Sequence, residues 1–171
     1  MGKFYSTKTY NNDRGLSCAF RQWRAEHSHC KLIHGYSLGF KVIFECDSLD
    51  ERNWVMDFGG LKKFKNWLEE MFDHTLVVAE DDPQRGALEE LHAKGLANVR
   101  IVPRVGAERF AEMAFLQLTM ILNQGKLDGT LLNPTVRVKS VECFEHGANS
   151  AIYEMEYPQG KQGKKTIKVG A

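Results

Sequence analysis

Nowhere does this chain run to about 18 consecutive apolar residues, the length a helix needs to cross a bilayer. Its start, Met1-Gly2-Lys3-Phe4-Tyr5, lacks the apolar stretch of a secretory leader. Net charge is nearly absent too, since 23 Lys and Arg stand against 22 Asp and Glu for a formal +1. No global field therefore draws the chain to a nucleic-acid backbone or an anionic membrane surface, and neither partner is expected; local charge can still capture a small phosphorylated molecule. Cys-x-x-Cys pairs are missing as well. The four cysteines, Cys18, Cys30, Cys46 and Cys143, are scattered, which fits reduced thiols in the cytoplasm better than a disulfide framework. A soluble, cytoplasmic protein is the expectation.

What is present is ordinary globular material. With 171 residues, 43% of them hydrophobic, the chain can bury one sizeable core, so a single domain over 1–157 is expected. The remaining 158–171 carries four lysines and three glycines without apolar periodicity and is expected to be a flexible basic tail.

Periodicity predicts strands at Gly15–Trp23 and Tyr36–Cys46. In the second, Tyr36, Leu38, Phe40, Val42 and Phe44 alternate with Ser37, Gly39, Lys41, Ile43 and Glu45. Asp57-Phe58-Gly59-Gly60 opens an amphipathic helix, where Leu61, Phe64, Leu68, Met71 and Phe72 fall on one face. After the break at Asp81-Asp82-Pro83, a short helix over Leu88–Lys94 ends at Gly95, and Asn98–Val102 suits a short strand. A second long helix spans Glu108–Asn123. Two final strands, Val136–Glu145 and Ser150–Tyr157, meet at the turn His146-Gly147-Ala148-Asn149. Strand pairs separated by helices, without regular alternation, indicate an α+β fold with the helices on one face of an antiparallel sheet.

Chemistry concentrates between the first two predicted strands. Glu26 to Tyr36 holds His27, His29, His34 and Cys30, three imidazoles and a thiol within eight residues, a set that can bind zinc, move protons, or do both. A second candidate is Asp73-His74 at the end of the first amphipathic helix, where a carboxylate can orient an imidazole. Other groups have plainer readings. Cys46 ends an apolar strand face and Cys143 shares a strand face with Glu145, so both are expected to pack; Trp54 and Trp67 suit a core or a subunit interface, and His92 a helix surface.

Taken in order, these residues resemble the 6-pyruvoyl-/6-carboxy-tetrahydropterin synthase family. Cys30 precedes His34-Gly35-Tyr36, where the family has His-Gly-His; Asp57-Phe58 opens a helix; Asp73-His74 follows it; Val105-Gly106-Ala107-Glu108 stands at a helix entry; and Glu145 sits in the penultimate strand. The interval from Cys30 to His34 is similar to that of the bacterial carboxy branch. The resemblance implies the tunnelling fold (T-fold), a four-stranded antiparallel sheet with two main helices on one face, and subunits assembled as trimers or a hexamer with active sites between them.

It also implies a lyase that converts 7,8-dihydroneopterin triphosphate into 6-carboxy-5,6,7,8-tetrahydropterin, with loss of acetaldehyde and triphosphate, on the route to queuosine. In that scheme Cys30 shuttles protons, Asp73 and His74 activate it, and Glu145 anchors the pterin. Alternatives are a 6-pyruvoyl-type or other pterin enzyme, or a non-catalytic pterin- or purine-binding relative. The family's zinc has three histidine ligands, and here those positions are Phe20, His34 and Tyr36, leaving His34 alone in register. Either His29, His27 or Cys18 replaces the missing donors, or the chain works without zinc. Replacement is the expectation, because His27 and His29 lie near His34 along the chain.

Overall fold

The structure is a computed structural model that describes residues 2–124, 126–127 and 130–157. The predicted tail, 158–171, lies outside the described residues.

The organising element is β3 (His34–Cys46), a strand of 13 residues. Its length lets two strands lie end to end along one side. β1 (Phe4–Tyr10) pairs with the second half of β3, and β2 (Leu16–Phe20) with the first half, both antiparallel. Asn12–Arg14 form the turn between β1 and β2, closed by Gly15 at φ 77. On the other side of β3 lies β8 (Arg137–His146), followed by β9 (Asn149–Glu154), both antiparallel to their neighbours.

Three helices follow their sequence signals. α1 (Lys62–Phe72) is preceded by a 3₁₀ turn over Phe58–Leu61, whose entry is fixed by Asp57 accepting a hydrogen bond from the Gly59 amide at 2.9 Å. α2 (Arg85–Ala93) ends before Gly95, which adopts φ 70. α3 (Ala107–Leu122) is entered through Gly106, whose φ of 121 is a conformation that favours glycine. Between the helices run β4 (Thr75–Ala79) and β5 (Val99–Val102), and the short ladder β6 (Lys126–Leu127) with β7 (Thr130–Leu131) follows α3.

The α+β class holds, but the sheet is larger and more mixed than four antiparallel strands. Among the described residues it has seven strands in the order β5-β4-β2-β3-β8-β9, with β1 also on β3, and the β2–β4 and β4–β5 pairs are parallel. Nor do all the helices share one face. Cys18, Phe20 and Val77 point into the main core with α1 and α3, whereas Ala19, Leu76 and Val78 point the other way, against Leu88 and Leu91 of α2. Covered on both faces, β4 is buried at every position.

The main core is aromatic. Phe40, Phe72, Phe110 and Phe20 form a chain of rings with successive centroids 5.1 Å apart. Cys46 and Cys143 are buried within this core, as expected, and Trp67 packs against it. Trp54 does not belong to it; the ring is 46% exposed, with the Arg52 guanidinium 4.8 Å from its centroid. Glu45 is buried at 1% exposure and is compensated by Lys3 at 3.2 Å and Arg137 at 2.6 Å.

Candidate functional site

Pairing of β2 with β3 sets Phe20 opposite His34 and Cys18 opposite Tyr36. Gly35 lies between the two candidate side chains, and a Cβ there would come within 2.6 Å of the Cys18 carbonyl oxygen. Only glycine lets the strands approach so closely at this point. The Phe20 ring lies 4.9 Å from His34 and 6.2 Å from Tyr36, and His34 and Tyr36 are 5.6 Å apart. His146, the last residue of β8, adds a fourth ring 5.9 Å from Tyr36.

The tautomer of His34 follows from its neighbour. Nδ1 lies 2.8 Å from the Leu32 carbonyl oxygen, which can only accept, so Nδ1 carries the hydrogen and Nε2 keeps its lone pair in the neutral ring. Cys30 sits in a single 3₁₀ turn, His29–Lys31, capped by Ser28, which accepts from the Cys30 amide at 3.1 Å. The loop is held from behind, since the Gln22 amide donates to the Cys30 carbonyl at 2.8 Å and Arg21 binds the buried Asp82 through Nε at 2.8 Å. Asp81 adds a second anchor, accepting from Arg24 at 2.9 Å and forming an ion pair with Arg104 at 2.6 Å. Arg24 foremost holds the Asp81 carboxyl below the usual carboxylate range, with Trp23 and Arg104 assisting. Sequence reasoning read Asp81-Asp82 only as a break; the basic Arg21 and Arg24 after β2 were the available signal for this tie.

Glu145 lies at a bulge in β8, where the pairing with β9 shifts between Phe144 and His146. Bulges re-aim a side chain, and this one brings the carboxylate into the field of Tyr36. The Tyr36 hydroxyl is pushed above its ordinary pKa by burial first, then by the negative charges of Glu145 and Cys30. Burial likewise pushes the Cys143 thiol well up, with Cys18, Glu145 and Glu108 adding to it. One end of the β2–β3–β8 sheet thus holds His34, Tyr36 and His146 in ring contact, with Glu145 at the adjacent bulge and Cys30 on the loop that leads into β3.

Asp73 and His74 form a pair of their own. His74 Nδ1 donates to Asp73 Oδ1 at 2.6 Å, and the ring is 85% exposed. His74 adopts φ 53, a left-handed conformation unusual for a residue with a Cβ, at the corner between α1 and β4. Thr75 next to it aligns with Cys18, whereas Phe20, opposite His34, aligns with Val77 two residues further along β4. His74 lines an open groove of about 660 Å³ that it shares with Ser17, Cys18, Gly35, Tyr36, Ser37 and Leu91. Among the described residues no hydrogen bond joins Asp73 or His74 to Cys30. Within one chain the expected relay and thiol are not joined directly.

The expected replacement ligands are not brought together either. His27 and His29 are exposed on the loop, and Cys18 is 2% exposed in the core, its thiol pushed up to about 12 by burial. Among the described residues no three His, Cys, Asp or Glu side chains converge. Phe20 has no donor atom, and a protonated phenol is a poor zinc ligand. The residues at the implied metal position therefore do not fit a zinc ion.

A family model described as 6-pyruvoyl tetrahydropterin synthase matches residues 10–156. A 6-carboxy-5,6,7,8-tetrahydropterin synthase from Aquifex aeolicus is 28% identical over 131 residues, covering 74% of this chain and 76% of that one. The same-named protein from Rickettsia conorii is 33% identical over 63 residues, 36% of this chain and 46% of its own length. The chain thus spans less than half of the length of that Rickettsia relative. Among solved structures, an uncharacterized protein from Wolinella succinogenes superposes with a TM-score of 0.74 at 21% identity, covering 91% of this chain and all of that one, a likeness of fold.

Proposed function

Since the chain belongs to the 6-pyruvoyl tetrahydropterin synthase family, we propose that it is a pterin-forming lyase of the 6-carboxy-5,6,7,8-tetrahydropterin synthase type, acting on 7,8-dihydroneopterin triphosphate. The observation that supports this reading is the cluster of His34, Tyr36 and His146 at one end of the sheet, ring against ring, with Glu145 at the adjacent bulge and Cys30 on the loop leading into β3. In the reaction, Glu145 accepts paired N–H bonds from the amino-pyrimidine edge of the pterin and fixes its orientation. Cys30, on its capped turn beside that edge, moves protons at the side-chain carbons where the bond to the leaving fragment breaks. His74, oriented by Asp73, serves as the proton partner.

His74 is exposed and makes no hydrogen bond to Cys30 of its own chain, so in this scheme the pair acts on the thiol of a second copy, in a homo-oligomeric trimer or hexamer. No step of this scheme passes through a metal. A cytoplasmic location and a role on the queuosine route accompany the reading; no helix among the described residues is long and apolar enough to cross a membrane.

A second reading, a pterin- or purine-binding protein without turnover, is favoured by the lack of imidazoles at positions 20 and 36, where Phe20 and Tyr36 stand. Product analysis separates the two. Incubation with 7,8-dihydroneopterin triphosphate should yield 6-carboxy-5,6,7,8-tetrahydropterin with release of triphosphate, and Glu145→Gln should weaken pterin binding by about 1.5–3 kcal/mol. Tight binding without product would establish the second reading, and neither binding nor product would remove both.

A further inference from the structure

The three positions where a zinc site is implied are not scattered. Phe20, His34 and Tyr36 form a closed triangle of rings with sides of 4.9, 5.6 and 6.2 Å, spacings at which rings touch. Phe20 is fully buried and braced from below by Phe110 at 5.1 Å, so its ring fills the space in which a third imidazole and an ion would otherwise meet. Two potential donors remain, His34 Nε2 and the Tyr36 oxygen, fewer than the three protein ligands usual at a catalytic zinc. No nearby side chain makes up the number, since His27 and His29 are exposed and no three-donor group exists among the described residues.

The rings of His34 and Tyr36 are half-buried, and His146 continues their row at 5.9 Å from Tyr36. Together they present a continuous aromatic border beside Glu145. Such a border suits a flat heterocycle, because every conjugated ring offers a face to stack on and an edge for the phenol to hydrogen-bond.

We propose that this triangle is a metal position converted into an aromatic shelf: the chain holds no zinc there, and His34, Tyr36 and His146 bind the planar ring of the substrate in its place. The identity of that ring as a pterin rests on the function proposed above; the exclusion of zinc does not. The geometry makes the conversion reversible in principle. Position 20 faces position 34 across the β2–β3 ladder and position 36 is its neighbour on the same face, so imidazoles at all three would converge.

Elemental analysis of the full chain, equilibrated with zinc and dialysed against a weak chelator, tests the first half. The parent should retain well under one zinc per chain, and Phe20→His combined with Tyr36→His should raise retention by at least about tenfold, towards one per chain. A parent that keeps one zinc per chain overturns the proposal, as does a folded double variant that retains no more than the parent. If the double variant fails to fold by circular dichroism, the zinc content of the parent alone decides. The second half is read by calorimetric titration with 7,8-dihydroneopterin, where Tyr36→Ala should weaken binding about tenfold or more. Unchanged binding would overturn the shelf. A parent that excludes zinc and binds no dihydroneopterin would overturn the pterin reading and leave the zinc result standing.

Discussion

Two halves of the sheet meet along β2, and they are built differently. The antiparallel half, β1, β3, β8 and β9, lies over α1 and α3 and a core of large aromatic side chains, and it carries Cys30, His34, Tyr36 and Glu145 at its end. The half made by β4 and β5 is parallel, is backed on its outer face by the shorter α2 through a small cluster of Leu76, Val78 and Leu88, and carries Asp73 and His74 beside an open groove. In the scheme proposed above, the Cys30 thiol of one copy works with the His74 imidazole of another, so the two halves divide the labour.

The largest expected effect tests that division. Cys30→Ala and His74→Ala should each reduce turnover about 10²- to 10⁴-fold, the usual worth of a general acid or base, while leaving thermal stability unchanged. Unfolded together and refolded as a mixture, the two inactive proteins should regain measurable activity, because some sites then combine an intact thiol with an intact imidazole. Mixtures as dead as their parts would place both groups in one chain's site and erase the comparison.

Next in size is the difference in packing. Phe72→Ala removes a fully buried ring that touches Phe40 and Phe110, and should cost about 3–5 kcal/mol in urea unfolding. Leu88→Ala, in the smaller outer cluster at 8% exposure, should cost about 2 kcal/mol, the low end for a leucine. Equal losses would mean that the two halves are equally well packed.

The smallest effect concerns the seam itself. Cys18 lies on β2, aligned with Tyr36 on one side and Thr75 on the other, and burial pushes its thiol from 9.0 up to about 12. Between those values the native state keeps a proton that the unfolded chain has lost. The contribution is therefore complete below pH 9 and declines as pH rises towards 12, by at most about 1.4 kcal/mol per pH unit. Urea midpoints measured across that window should fall less steeply for Cys18→Ala than for the parent; identical slopes would show that this thiol is not the titrating group.

The same division explains what could be read in the amino-acid sequence. In the antiparallel half one face is solvated, so the alternation from Tyr36 to Cys46 shows plainly, and the apolar stripes of α1 and α3 are equally visible. β4 escaped notice because Thr75–Ala79 is buried on both faces and has nothing to alternate with. β1 escaped for the opposite reason, since Thr7, Lys8 and Thr9 give a mostly uncovered strand little apolar content. Cys30, His34, Glu145 and Asp73-His74 stood out by residue type and order. Their relative placement did not, because it depends on the register of β2 against β3 and β4. That same register brings the rings of Phe20, His34 and Tyr36 into contact, while His27 and His29, expected to complete a ligand set with His34, stand exposed.

The pairing of β3 with β8 bears on how the chain comes to fold. Gly39 lies opposite Phe144, so one flank of the longest strand waits for a partner roughly a hundred residues downstream. During synthesis β1 and β2 can close on β3 early, but its other flank keeps unpaired amides and carbonyls until nearly the whole domain has emerged. An apolar strand of 13 residues in that condition is a template for joining the same strand of a neighbouring nascent chain. Truncation before β8 should therefore give aggregates rather than a smaller soluble domain, and overproduction at lower temperature, which slows encounter between open chains, should improve the yield of folded protein.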